Sequence, residues 1–397
     1  MKKADPHFFA DRISHNVAGI EISAIKEMSI LAAKLEGVAS LTWGLPSFQT
    51  PEYIRRGVMQ QLEQDMDIGK YSLPDGIGEL RKMVTRQHLA DTGIEVDPDE
   101  HVMITAGNMQ AFNTLFQVIT DPGDEIILTD PCFASHIQQV KLCGCKPVYW
   151  TLDENNDWEL DINTLPGLIN RKTKAIVIVS PSNPTGKIFS KDALTAIGGI
   201  AKELGLMILV DDPYHHFVYE NREKYFNLAS SRNLFDHVVY CFTFSKIYAM
   251  SGWRMGYMVL PGYLKKQAMK VHDATMICAP RISQVAALIA LREKSGHIAE
   301  FEGALAKRRE LICQRLDAVP HVFSYTKPEG AYYVFPRIKA EHGTAHDFAV
   351  QLLNEARVAV TPGSGFGPSG EHHVRMAYCV PEDMIDLAFD RIEQHFD

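Results

Sequence analysis

The chain lacks the long apolar runs and the surplus of basic residues that mark membrane proteins and nucleic-acid-binding proteins. No stretch of about 18 consecutive apolar residues occurs in its 397 residues, so no membrane span is expected. Lys and Arg number 40 against 49 Asp and Glu, a formal net charge of −9. Nucleic acid is not expected as a partner, because phosphate neutralisation needs clustered cations. Small anionic ligands remain possible, since one local Arg outweighs a diffuse negative field.

Cysteines are few, and they are odd in number and scattered. The chain has seven, and only Cys143 and Cys145 stand close together, without a second pair at metal-site spacing. Such usage is typical of reduced thiols in a cytosolic protein. Residues 1–14 include two lysines but no apolar core segment, so a signal peptide is not expected. The expectation is a cytoplasmic protein without disulfides and without a metal site.

The middle of the chain alternates short apolar stretches with stretches of helical periodicity. Helices are predicted at Met109–Ile119 and Lys191–Leu204, the second with Ser190 as candidate N-cap. Seven strands are predicted, most of them apolar on both faces: His101–Thr105, Glu125–Thr129, Lys146–Trp150, Ala175–Val179, Met207–Val210, Val238–Phe242 and Met255–Leu260. This alternation predicts an α/β fold with a mainly parallel sheet, covered by helices on both faces. Ligands of such sheets bind near the carboxyl ends of the strands.

The pattern changes after about Pro280. Three helices and three short strands are predicted there: Ile282–Glu293, Ile298–Leu316 and Pro381–His395, and Ala331–Phe335, Val358–Val360 and Val374–Ala377. Mixed short elements of this kind indicate a smaller α+β domain that follows the larger α/β unit.

One lysine follows a predicted strand within the segment FTFSKIYAMSGWRMGY, residues 242–257. A lysine in a partly buried pocket has a lowered pKa and can form an imine with an aldehyde, which makes Lys246 a candidate nucleophile. Arg254, eight residues later, is a forked donor suited to a phosphate. Thr243 and Ser245 would add hydroxyl donors.

Further polar segments follow the other predicted strands. Asn183 lies in the turn Ser182–Gly186, and Asp211 and Tyr214 follow the strand Met207–Val210. The turn that contains Gly107, Asn108 and Met109 joins a strand to a helix, where free N–H groups favour an anion.

Together these segments resemble the class I aminotransferases, pyridoxal-5′-phosphate (PLP) enzymes of fold type I, and most closely their prokaryotic aspartate/aromatic subgroup. The resemblance extends from about Leu41 to the C-terminal helix, with the family's segments in the family's order. It implies an N-terminal arm at 1–45 that joins part of the small domain. It also implies a large PLP-binding domain at 46–283 with a seven-stranded sheet, and a small domain at 284–397.

The resemblance also implies roles for the residues near PLP. Lys246 would hold the cofactor as a Schiff base and act as general base, and Asp211 would face the pyridine nitrogen. Tyr214 and Asn183 would bind the phenolic oxygen. The remaining cofactor contacts would come from the backbone of Gly107, Asn108 and Met109, from the ring of Phe133, and from Thr243, Ser245 and Arg254.

Substrate and partner contacts follow from the same resemblance. Arg375 and Asn183 would bind the substrate α-carboxylate, which Gly44 would cover. Tyr71 would reach the phosphate of a neighbouring subunit, which implies a homodimer with shared active sites.

The expected reaction is ping-pong transfer of an amino group between an L-amino acid and a 2-oxo acid. Met109 is apolar where some acid-specific relatives have a basic residue, which favours aromatic or hydrophobic substrates, or a broad range. The rival within PLP chemistry is a carbon–sulfur lyase or an enzyme similar to aminocyclopropane-carboxylate synthase, and a PLP-binding regulator is a remote alternative. The chain departs from the family pattern at Trp43, at Ser47 and at the pair Asp211–Asp212.

Overall fold

The computed structural model describes residues 12–293 and 295–397. Its helices are α1 His15–Ala18, α2 Ala24–Ala32, α3 Glu52–Gln64, α4 Gly78–Thr92, α5 Pro98–His101, α6 Asn108–Ile119, α7 Ala134–Leu142, α8 Leu165–Leu168, α9 Lys191–Leu204, α10 Gly262–Met276, α11 Arg281–Arg292, α12 His297–Ala318, α13 Ala345–Ala356 and α14 Glu382–Phe396. Its strands are β1 Ala39–Ser40, β2 Val102–Thr105, β3 Glu125–Asp130, β4 Lys146–Thr151, β5 Thr173–Val179, β6 Met207–Asp211, β7 Val238–Thr243, β8 Gly256–Val259, β9 Phe323–Ser324, β10 Tyr333–Val334, β11 Arg337–Ile338, β12 Val358–Ala359, β13 Thr361–Pro362 and β14 Val374–Ala377.

Seven strands form one large sheet in the order β2-β8-β7-β6-β5-β3-β4. The strands from β7 to β4 in this order pair in parallel, and β8 is antiparallel to both of its neighbours. The prediction of a mainly parallel seven-stranded sheet is therefore confirmed. The last residues of β5, β6 and β7 meet at one edge, because adjacent parallel strands end on the same side.

Apolar side chains on both faces of this sheet are buried in two separate clusters. On β5, Ile176 and Ile178 face one cluster while Ala175 and Val177 face the other. Residues of α6, α7 and α10 pack on the second face, and residues of α4 and α9 pack on the first. Side chains alternate along a strand, so a strand that is apolar at every position needs helices on both faces. The predicted coverage by helices on both faces is confirmed.

The C-terminal part contains α12, α13 and α14 with short strands. β14 lies between β10 and β13 in an antiparallel sheet, where Arg375 is opposite Thr361. β1 pairs in parallel with β12, which links the N-terminal segment to this part of the chain. The proposed domain boundaries at 45 and 283 stay a prediction, and the first eleven residues of the predicted arm lie outside the described residues.

The predicted elements have nearly the observed bounds, with one clear exception. The strand predicted at Ala331–Phe335 is reduced to Tyr333–Val334, because Ala331 has a φ of 59°, which is incompatible with an extended strand. Its N–H donates to the carbonyl of Phe217 outside any strand ladder. Ser190 caps α9 as predicted, since its side chain accepts from the N–H of Ala193.

In the described residues no helix has the length and apolarity that a membrane span requires.

Candidate active site

A cavity of about 510 Å³ opens at the edge where β5, β6 and β7 end. The structure brings most of the predicted site residues to its walls: Gly44, Asn108, Met109, Phe133, Asn183, Asp211, Tyr214, Thr243, Ser245, Lys246, Arg254 and Arg375. Gly107 is not among the lining residues, but it lies against the guanidinium of Arg254. Tyr71 lies outside the cavity, and 74 % of its surface is exposed. Residues from both ends of the chain therefore converge on one place.

Lys246 lies in the loop after β7, and its Nζ donates to the carbonyl of Gly44 at 2.7 Å. The rings of Tyr214 and Tyr332 lie 6.0 and 5.8 Å from the same nitrogen. Burial lowers the pKa of Lys246 from 10.5 to about 8, because the charged form loses its hydration. A useful fraction of the amine is therefore neutral and nucleophilic near neutral pH.

Asp211 ends β6 and is almost completely buried. Asn108 donates its side-chain N–H to Oδ1 at 2.6 Å, and His136 Nε2 lies 3.1 Å from Oδ2. A buried carboxylate held by two side chains is fixed in one orientation. His136 was missed in the sequence analysis. It lies on α7, one helical turn after the N-cap residue Phe133. This spacing is the sequence signal that could have placed it near the strand end.

The backbone at the start of α6 forms a cradle for an anion. Gly107 has a φ of 77°, and an added Cβ would lie 2.7 Å from a guanidinium nitrogen of Arg254. Arg254 donates to the carbonyls of Ser251 at 2.8 Å and Ala106 at 3.2 Å. Only glycine permits this close approach, which places a cation beside the free N–H groups of the first helical turn.

Two hydroxyl groups complete this side of the cavity. Thr243 Oγ1 and Ser245 Oγ are 2.8 Å apart, and both residues are buried.

In the described residues no salt bridge includes Arg254, so its charge has no carboxylate partner. Burial lowers its pKa from 12.5, but a guanidinium remains charged at physiological pH. A phosphate would supply the missing countercharge.

Arg375 lies on β14 with only 1 % of its surface exposed. It donates to Asn183 Oδ1 at 3.1 Å and to the carbonyl of Thr42. The rings of Tyr333 and Phe366 lie 4.5 and 4.9 Å from its guanidinium carbon. Its buried Nε has no hydrogen-bond partner, and none of the described carboxylates forms a salt bridge with it. A buried cation without a countercharge is costly, so this geometry favours binding of an anion.

Tyr214 is paired with a tyrosine that the sequence analysis missed. The hydroxyls of Tyr214 and Tyr333 are 3.0 Å apart, and burial raises the pKa of Tyr214 well above its ordinary value. Tyr214 therefore keeps its proton and is able to donate a hydrogen bond. Tyr333 also closes the wall at Gly44, where an added Cβ would lie 1.9 Å from its hydroxyl oxygen.

The mouth of the cavity is largely apolar. Met109, 42 % exposed, and Trp43, 41 % exposed, line it together with Ile25 and Leu45. Lys26 Nζ lies 4.1 Å from the ring centroid of Trp43. The side chains of α2 were absent from the sequence-based site, because their position depends on the fold and follows from no motif.

The family model for aminotransferases of classes I and II matches residues 37–392. The chain belongs to this family. It is 34 % identical to the aspartate aminotransferase of Pyrococcus abyssi, covering 94 % of this chain and 95 % of the relative. It is also 34 % identical to aromatic-amino-acid aminotransferase 2 of Thermococcus litoralis, covering 96 % and 97 %. The solved structure of the alanine aminotransferase of Pyrococcus furiosus has a TM-score of 0.90 at 30 % identity, covering 97 % and 99 %.

Class I aminotransferases use PLP, and the cavity of this aminotransferase fits that group. Gly107 leaves room that a Cβ would fill, and Arg254 lies beside it without a countercharge. Asp211 is a buried carboxylate, and Lys246 is an amine with a lowered pKa. These are the donors, acceptor and nucleophile that a phosphorylated aldehyde with a pyridine ring requires.

Proposed function

We propose that this aminotransferase exchanges amino groups between L-amino acids and 2-oxo acids, with aromatic or hydrophobic donors or a broad range of them. The buried, unpaired guanidinium of Arg375 carries this proposal most directly. It lies in the same cavity as Lys246, so an anion bound at Arg375 is presented to the amine. The relatives are named aspartate, aromatic-amino-acid and alanine aminotransferases. Their names support the reaction type but do not identify the amino-acid donor of this enzyme.

Bound PLP supplies a ring that accepts electrons from the substrate. Lys246 takes the proton from the substrate Cα and returns it on the cofactor side, which its lowered pKa supports. Asp211, held by Asn108 and His136, would face the pyridine nitrogen. Tyr214 and Asn183 would bind the phenolic oxygen, and Phe133 would stack on the ring. Arg254, Thr243, Ser245 and the backbone of Gly107, Asn108 and Met109 would hold the phosphate.

Arg375→Ala is expected to lower kcat/KM for every amino-acid donor by about 30- to 1,000-fold. Every donor has an α-carboxylate, so the loss should be similar for glutamate, phenylalanine and alanine. Arg375→Lys should recover only part, because an ammonium cannot form the two-pronged contact. The half-reaction rate with each donor is the measurement. A loss confined to glutamate would make Arg375 a side-chain contact and would contradict the assignment.

We further propose a homodimer with shared active sites, in which Tyr71 reaches the partner's phosphate. Its ring is exposed and lies outside the cavity of its own chain. Met66 and Leu73, close to it in sequence, are 89 % and 65 % exposed, and exposed apolar side chains in one segment favour a protein interface. The unpaired cysteines support a cytoplasmic location.

Mixing subunits tests this arrangement. Lys246→Ala and Tyr71→Ala homodimers should each be less active than the wild type. A hybrid dimer of the two variants contains one site with both residues intact, so mixing should restore activity above both parents. A fully active monomer in sedimentation at assay concentration, or no gain on mixing, would contradict the shared site.

A further inference from the structure

The cavity has one more cation than the proposed reaction uses. Lys26, Lys246, Arg254 and Arg375 line it, and Asp211 is the carboxylate among its lining residues. Under the proposed function, Arg254 is matched by the phosphate, Arg375 by the α-carboxylate, and Lys246 performs the proton transfer. The charge of Lys26 is matched by nothing in this scheme.

Lys26 is solvent-exposed and has no carboxylate partner among the described residues. None of the salt bridges in the described part of the chain includes it, and its neighbour Glu27 pairs instead with His346 at 3.2 Å. Its contact is with the face of Trp43, 4.1 Å from the ring centroid. A cation–π contact holds the ammonium in position without neutralising it.

Trp43, which Lys26 contacts, lies between two residues that accept hydrogen bonds from cations of the site. The preceding residue, Thr42, accepts from Arg375, and the following residue, Gly44, accepts from Lys246 at 2.7 Å. The segment 42–44 therefore borders both the α-carboxylate position and the catalytic amine. Trp43, Met109 and Lys26 line the same cavity, so they are available to the side chain of a substrate bound there.

We infer that Lys26 binds a terminal carboxylate on the substrate side chain. This inference rests on the proposed function and adds dicarboxylic substrates, such as glutamate and 2-oxoglutarate, to the apolar donors. The methylene groups of such a substrate pack on Trp43 and Met109, and the carboxylate reaches the Lys26 ammonium. The apolar residue at position 109 then does not exclude acidic substrates, because the cation comes from α2 instead.

Lys26→Met keeps the length of the side chain and removes the charge. Lys26 is solvent-exposed, so the ratio of kcat/KM for glutamate to kcat/KM for phenylalanine should fall about 2- to 5-fold, the range for a charged contact at an exposed site. Lys26→Arg should restore most of the ratio. Lys34→Met, which changes an exposed lysine outside the cavity, is the matched control and should leave the ratio unchanged. An unchanged ratio in Lys26→Met overturns the inference.

Binding of unreactive acids gives a second measurement that needs no turnover. Calorimetry on the holoenzyme should show that glutarate binds more tightly than valerate, and that Lys26→Met removes this preference. If the wild type converts no amino acid but the preference depends on Lys26, the proposed function fails and the inference stands. If turnover is normal and glutarate has no Lys26-dependent preference, the inference fails alone.

Discussion

Lys246→Ala is expected to lower kcat/KM about 10⁴-fold or more for every donor, because in the proposed mechanism this one side chain both holds the cofactor and transfers the proton. Lys246→Arg should be equally inactive, since a guanidinium neither forms the imine nor gives up its proton. Steady-state kinetics with glutamate and phenylalanine measure the effect. Lys270→Ala, at an exposed lysine of α10, is the control and should retain wild-type rates. Substantial activity in Lys246→Ala would contradict its role.

Replacing Lys246 by methionine, which keeps the side-chain length and removes the amine, should not weaken the fold. Burial lowers the pKa of Lys246 to about 8, so the charged form destabilises the cofactor-free protein below that pH. The cost decreases as the pH rises from about 8 to 10.5 and disappears above 10.5, where the amine is neutral in both the folded and the unfolded state. We expect Lys246→Met to raise the Tm of the cofactor-free protein at pH 7 and to raise it much less at pH 10.5. A lower Tm at pH 7 would argue against this burial cost.

Asp211→Asn is expected to lower the half-reaction rate about 10²- to 10³-fold or more while PLP remains bound. A neutral amide cannot hold the pyridine nitrogen protonated, so the ring accepts electrons poorly. Asp211→Glu keeps the charge and should lose less. Bound cofactor is measured by absorbance and the rate by rapid mixing with one donor. A variant that binds PLP and reacts at the wild-type rate would refute this role.

The strand ends of the large sheet could be predicted from sequence because each strand is an uninterrupted apolar run followed by a polar turn. Asp211, Asn183 and Lys246 were placed in this way, and the structure brings all three to the same edge of the sheet. Their chemistry followed from residue type and from the resemblance to a known family.

Contacts between distant segments could not be predicted in the same way. His136 reaches Asp211 only because α7 packs on the large sheet against β3 and β4, and Tyr333 reaches Tyr214 across 119 positions of the chain. Lys26 lies on a helix without a recognisable motif. Such residues depend on tertiary packing, which local periodicity does not encode.

Transfer of labelled nitrogen tests the central claim most directly. The purified holoenzyme is incubated with ¹⁵N-phenylalanine and 2-oxoglutarate, and the products are analysed by mass spectrometry. Amino transfer predicts ¹⁵N-glutamate and phenylpyruvate in equal amounts, without free ammonia. Without the oxo acid, phenylpyruvate should stop at about one equivalent per active site. Continued release of ¹⁵N-ammonia without an acceptor, from phenylalanine or from a cysteine-type donor, would identify a lyase and contradict the account.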